Sequence, residues 1–223
     1  MISEGAQKCG LQCKQNVPQL LASVDLAEKE QSRAALEDTI TNTHAHLSGH
    51  MRPCRKLPEV DAWLRTFNDI AFRYKFLVLD GPSQTGKTLF CRSLSLDISG
   101  GLLEVDCASA ETPDLSAFEP GRHRMVLCDE ASASLVLRHK KLFQSSASLV
   151  KLATSKTDCH AYEVWAHRVM FVITSNRWHA ELNQLLYEDS EWLRRNSVYV
   201  RVQQPLWLQS ASLSLQSSVP PAG

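Results

Sequence analysis

No apolar run in this 223-residue sequence is long enough to cross a bilayer. The longest, such as "VMFVI" ending at Ile173, fall far short of the roughly 20 residues a spanning helix needs, and we expect a soluble protein with no membrane partner. Net charge is also lacking, with 24 Lys and Arg against 24 Asp and Glu. That balance excludes a strongly cationic surface, so contact with nucleic acid must come from local basic clusters. The seven cysteines do not form a disulfide framework: their number is odd and they are scattered through apolar segments such as "LFCRSL" and "MVLCDE". With no secretory leader to read, reduced thiols in an intracellular compartment are expected, nucleus and cytoplasm being indistinguishable. There is no internal repeat.

The length suits one α/β domain with flanking segments and is short for two. Residues 1–57 form an uneven polar region. Within it, "VPQLLASVDLAEKEQSRAALEDTI" places Leu20, Leu21, Val24, Ala27, Ala35 and Leu36 at helical spacing, which predicts a long amphipathic helix. The stretch "TNTHAHLSGHMRPCRKLP", broken by Gly49, Pro53 and Pro58, reads as a linker. The domain is assigned to residues 58–207. A short helix, "PEVDAWLRTF", opens it, and strands are predicted at Tyr74–Leu79, 102–106, 124–129, 168–175 and 197–202. Strands separated by segments long enough for crossovers imply a three-layer α/β sandwich around a five-stranded, mostly parallel sheet. The Ser-, Pro- and Gly-rich tail, residues 208–223, is expected to be disordered.

The sharpest signal is "GPSQTGKT", Gly81 to Thr88, directly after the apolar run "FLVL". Together Gly81, Pro82, Ser83, Gln84, Thr85, Gly86, Lys87 and Thr88 satisfy G-x-x-x-x-G-K-[ST]. A strand delivering the chain into a glycine-rich turn that opens a helix gathers backbone N–H groups around a concavity fit for a triphosphate. Lys87 reaches the β- and γ-phosphates, and the Thr88 hydroxyl ligates Mg²⁺. "RMVLCDEAS" then ends an apolar strand in two carboxylates. Asp129 is placed to hold the metal and Glu130 to activate the attacking water. A third apolar strand, "RVMFVITSN", ends in Asn176. In a parallel sheet the carboxyl ends of adjacent strands share one crevice, which brings Asn176 near the terminal phosphate. The same loop also serves small-molecule kinases, and it would survive in a non-catalytic nucleotide-binding remnant.

Taken in order, "GPSQTGKT", "VLCDE" and "VITSN" resemble the superfamily 3 helicases, ring-forming AAA+ ATPases of small viruses. The likeness is to the ATPase domain of replication-initiator (Rep) proteins of circular single-stranded DNA viruses and spans about residues 58–207. "GPSQTGKTLFCRSL" and "EWLRRNSVYVRVQQPLW" extend it. The resemblance implies an ATP-hydrolysing, Mg²⁺-dependent homo-oligomeric ring acting on single-stranded nucleic acid, DNA more than RNA. It also implies a β-hairpin between the acidic motif and the Asn strand whose basic residues, here Lys151, Lys156 and His160, track the strand. An arginine from a neighbouring subunit, Arg194 or Arg195, would complete the active site. Rep proteins carry a preceding nicking domain with a His-hydrophobe-His motif. "HAH" at His44–His46 matches it only superficially in a helical context, so the chain is not expected to nick DNA.

Other tempting patterns are weaker. His44, His46, His50 and Cys54, or Cys9 with Cys13, match no familiar zinc module. Cys128 reads as a small core residue, and Trp165, Trp178, Trp192 and Trp207 as packing groups.

Overall fold

The computed structural model describes residues 53–153 and 161–208, with individual positions between 28 and 43. The chain divides into two units, Met1–Met51 and Arg52–Gly223. In the first, the described positions from Glu28 to Thr43 are helical and exposed; those up to Thr39 lie where sequence periodicity places a helix, whereas Asn42 and Thr43 fall in the stretch read as a linker. Thr39 and Thr43 donate their hydroxyls to the carbonyls of Ala35 and Thr39 at 2.8 and 2.7 Å, a back-bond that satisfies the hydroxyl within the helix. Cys9, Cys13, His44, His46 and His50 lie outside the described residues.

The second unit is a three-layer α/β sandwich. Its elements in chain order are α1 (Pro58–Arg65), β1 (Phe76–Asp80), α2 (Lys87–Leu96), β2 (Gly101–Asp106), β3 (His123–Asp129), α3 (Ala133–Arg138), α4 (Lys140–Phe143), β4 (Val150–Ala153), β5 (Ala161–Val164), β6 (Met170–Ser175), α5 (Trp178–Leu182), α6 (Tyr187–Asn196) and β7 (Ser197–Arg201). Five strands form one sheet in the order β2-β3-β6-β1-β7. Every pairing in it is parallel. The other two strands, β4 and β5, make a separate antiparallel hairpin.

Burial explains the composition of the central strands. A strand covered on both faces needs apolar side chains at every position, because alternate residues point into different cores. Phe76 and Val78 of β1, Val126 and Cys128 of β3, and Phe171 and Ile173 of β6 enter one core, with Leu135, Leu142, Phe143, Trp178 and Leu193 from α3, α4, α5 and α6. Leu77 and Leu79, Met125 and Leu127, and Met170 and Val172 enter the opposite core, against Val60 and Trp63 of α1 and Phe90 and Cys91 of α2. At the edge, β7 is only partly buried and carries Tyr199 and Arg201 outward.

Some boundaries differ from those the sequence predicts. The strand after the hairpin begins at Met170, two residues late, because Arg168 has φ 63° and cannot continue an extended chain. The folded unit also begins before residue 58. Cys54 bridges Trp207, Arg55 N–H donates to the Leu206 carbonyl at 2.7 Å, and Leu208 N–H donates to the Pro53 carbonyl at 2.7 Å. Pro53 to Leu57, assigned to a linker, and Leu208, assigned to the tail, therefore belong to the body; residues 209–223 lie outside the described residues.

Phe171 is fully buried in the central strand β6. Its replacement by alanine is expected to lower unfolding free energy by about 3–5 kcal/mol, read from the urea midpoint, with the m-value unchanged if the sheet still folds as one unit.

Candidate active site

The carboxyl ends of three neighbouring strands are level. Asp80 of β1 pairs with Ser175 of β6, and Asp129 of β3 pairs with Thr174 of β6. Each strand therefore hands its next residues to the same rim: the loop Gly81–Gly86 from β1, Glu130 from β3, and Asn176 from β6.

The loop takes its shape from two glycines used differently. Gly86, at the helix N-cap, has φ 82°, and a Cβ there would lie 2.7 Å from the Trp207 ring. Gly81 needs no unusual dihedral but sits against the residue that follows β7, where a Cβ would come within 2.0 Å of the Val202 carbonyl oxygen. A side chain at either position would push the loop off its support. The segment after β7 holds the loop from outside: Val202 N–H donates to the Asp80 carbonyl at 2.7 Å and Leu206 N–H to the Thr85 carbonyl at 2.9 Å. Thr85 closes the turn with a hydroxyl bond to the Pro82 carbonyl at 2.9 Å.

Lys87 is 7% exposed, and its ammonium donates to the carbonyls of Gly81 and Pro82 at 2.9 Å each and to Asn176 Oδ1 at 2.8 Å. The Asn176 amide nitrogen in turn donates to Glu130 Oε1 at 2.6 Å and to Ser83 Oγ at 3.3 Å. One carboxamide thus bridges the cation of β1's loop and the acid of β3. Burial lowers the pKa of Lys87 below the ordinary lysine value, while Glu130, Asp129 and Asp80 pull it back up.

The adjacent acids diverge because Glu130 has φ 55°, a left-handed conformation unusual for this residue type. Asp129 faces the start of α2, accepting from Thr88 Oγ1 at 3.3 Å and from Thr174 Oγ1. Thr174 also accepts from the Glu130 N–H at 3.4 Å, so one buried hydroxyl orients both acidic positions. The Thr88 hydroxyl and the Asp129 carboxylate form an all-oxygen donor set suited to a hard divalent cation. Among the described residues there is no cluster of three or more His, Cys, Asp or Glu able to hold a metal.

Asp80 is a residue that motif reading misses. Its carboxylate is 5% exposed and accepts from the N–H groups of Trp178 and His179 at 3.2 Å and from the Tyr199 hydroxyl at 2.9 Å. Such donors offset the cost of burying a carboxylate. They also tie the end of β1 to the turn that carries Asn176 and to the edge strand. Burial and the Asp80 bond push the Tyr199 phenol up to about 12.

The remaining sequence-predicted residues lie elsewhere. Arg194 and Arg195 occupy the last turn of α6, which leads into the amino end of β7, at the rim opposite the glycine-rich loop. Arg195 is ion-paired with Glu191 at 2.6 Å and Arg194 contacts Ser190 Oγ at 3.5 Å, so neither joins the cluster in its own chain. Arg177, beside Asn176, is exposed on the carboxyl rim. Lys151 is exposed on β4 opposite Glu163 of β5. Lys156 and His160 lie outside the described residues. Cys128 is fully buried, and contact with Cys107 together with burial raises its pKa, as befits a packing residue.

No family model and no curated protein matches the chain. Among solved structures it is similar to NtrX from Brucella abortus, crystallised in complex with ADP, at 16% identity and a TM-score of 0.42. The match covers 81% of this chain and 44% of that one, so the chain spans less than half the length of that protein. A likeness that distant carries no weight for function. Among the described residues no helix is long and apolar enough to cross a membrane.

Replacing Asp80 by alanine leaves two helix N–H groups and a phenol without their acceptor. The expected loss is about 1.5–3 kcal/mol of stability in urea unfolding. Tyr199→Phe should cost less, about 1 kcal/mol, since the carboxylate keeps both backbone donors.

Proposed function

We propose that the chain is a Mg²⁺-dependent ATPase of the superfamily 3 helicase type, acting as a homo-oligomeric ring on single-stranded nucleic acid, DNA in preference to RNA. The observation that carries the hydrolase reading is the bridge Lys87–Asn176–Glu130, with bonds of 2.8 and 2.6 Å, built from three separate strand ends above one glycine-rich loop.

In this reading the loop N–H groups and Lys87 bind the β- and γ-phosphates, oxygens of the triphosphate replacing the carbonyl partners of the ammonium. Thr88 and Asp129 would hold Mg²⁺, which would neutralise charge on the phosphate oxygens. Asn176 holds Glu130 and the attacking water in line with the γ-phosphorus. As the bond from that phosphorus to the bridging oxygen breaks, a new bond forms to the water oxygen and Glu130 accepts the proton, leaving ADP and inorganic phosphate.

The nucleic-acid and ring components rest on the resemblance, and two placements support them. The β4–β5 hairpin lies between the acidic motif and the Asn strand, as in that family, with Lys151 on it and Lys156 and His160 in the connecting segment. Arg194 and Arg195 lie at the rim away from the glycine-rich loop of their own chain, a position compatible with service to a neighbouring subunit's site.

The full chain should hydrolyse MgATP at a specific rate that climbs steeply with protein concentration and with added single-stranded DNA. Lys87→Ala should abolish nucleotide binding. Glu130→Gln should bind MgATP at native affinity and turn it over at least about 100-fold more slowly. A specific rate indifferent to concentration and DNA would refute the ring, and native turnover by E130Q would refute the hydrolytic assignment.

A further inference from the structure

Trp207 is a packing residue by sequence, yet it sits on the most constrained point of the phosphate loop. A Cβ on Gly86 would meet its Cε3 at 2.7 Å and Cζ3 at 2.8 Å, so the six-membered edge of the indole lies directly over the glycine that begins α2. The ring is anchored from both sides in sequence. Leu206 N–H donates to the Thr85 carbonyl at 2.9 Å, Cys54 bridges Trp207, and Leu208 N–H reaches the Pro53 carbonyl at 2.7 Å. Leu206 is buried and Trp207 half-buried. The strap 202–208 therefore contacts the loop at its start, through Val202 at Gly81, and at its end, through Leu206 at Thr85 and Trp207 at Gly86.

Such an arrangement does something the core does not. A glycine-rich loop must keep its N–H groups converging while φ at Gly86 stays at 82° and at Gln84 at 63°, conformations that a free loop samples along with many others. Pinning the loop before the ligand arrives removes that conformational cost from binding. We infer that Trp207 is a positioning residue of the phosphate loop: its indole on Gly86, with the Leu206–Thr85 bond, keeps the loop shaped for a nucleoside di- or triphosphate. Nucleotide affinity then depends on Trp207 more than the hydrolytic step does, whose water-orienting groups, Glu130 and Asn176, follow β3 and β6. This rests on the proposed reading of the loop as a nucleotide site.

The test uses the full chain with MgADP as the equilibrium probe and MgATP for turnover. Trp207→Ala should weaken MgADP binding and raise the KM for MgATP by about tenfold, with kcat changed by less than about threefold. Trp207→Phe, which keeps a ring over Gly86, should restore both constants to within about threefold of native. Should W207A not fold, Trp207→Leu, which keeps apolar volume without a flat ring, carries the same expectation. Native MgADP affinity in a folded W207A or W207L chain would overturn the proposal. So would a loss that falls on kcat with KM unchanged, or one that Phe does not repair. If the native chain binds no MgADP, the nucleotide reading falls and the proposal falls with it; if the native chain binds and W207A binds equally well, only the proposal falls.

Discussion

The site depends on the insertion of β6 between β1 and β3. Because the three strands are parallel and end level, the residue after each one emerges into the same crevice. The amide of Asn176 stands midway and can bond at once to an ammonium on one side and a carboxylate on the other. Exchanging the places of β6 and β1 would leave the glycine-rich loop and the acids in contact without an amide between them.

Holding those groups level requires polar chemistry inside an otherwise apolar sheet. Asp80, Thr174 and Ser175 are buried at the strand ends, and each has its partners: Asp80 the start of α5 and Tyr199, Thr174 the acid pair, Ser175 the N–H groups of Gly81 and Arg177. A buried network pays its way only when fully satisfied, and this one ties the three functional turns to one another. Below it the two cores are built mainly from apolar side chains, while the polar layer fixes the site geometry and adds stability through the bonds of Asp80.

Much of this was legible in the residues. Gly81, Gly86, Lys87 and Thr88 read directly, since a motif in which each position has a mechanical role is local and dense. The five strands were found because continuous apolar runs such as "FLVL" and "VMFVI" can be buried on both faces. Asp80 and Trp207 were not read as site residues, because what matters about them is a partner far away in the chain: α5 and Tyr199 for Asp80, Gly86 for Trp207. Nothing in the residues around Thr174 marks it; its register with Asp129 is what brings hydroxyl and carboxylate together. The start of the folded unit was placed late for the same reason, since Pro53–Leu57 has loop composition and owes its order to backbone bonds with residues 206–208. Arg194 and Arg195, whose distance along the chain suits an arginine supplied to a neighbouring subunit, are carried by α6 to the rim away from their own glycine-rich loop.

The central claim is that the ammonium, the acid and the amide enclose one terminal phosphoryl group. The most direct measurement is a crystal structure of the full chain with MgADP and beryllium fluoride. The account predicts that Lys87 Nζ, Asn176 Nδ2 and Glu130 all converge on the fluoride-bearing group, with Thr88 and Asp129 around the magnesium. A nucleotide bound away from this rim, or one whose terminal group lies beyond reach of Asn176 and Glu130, would contradict it.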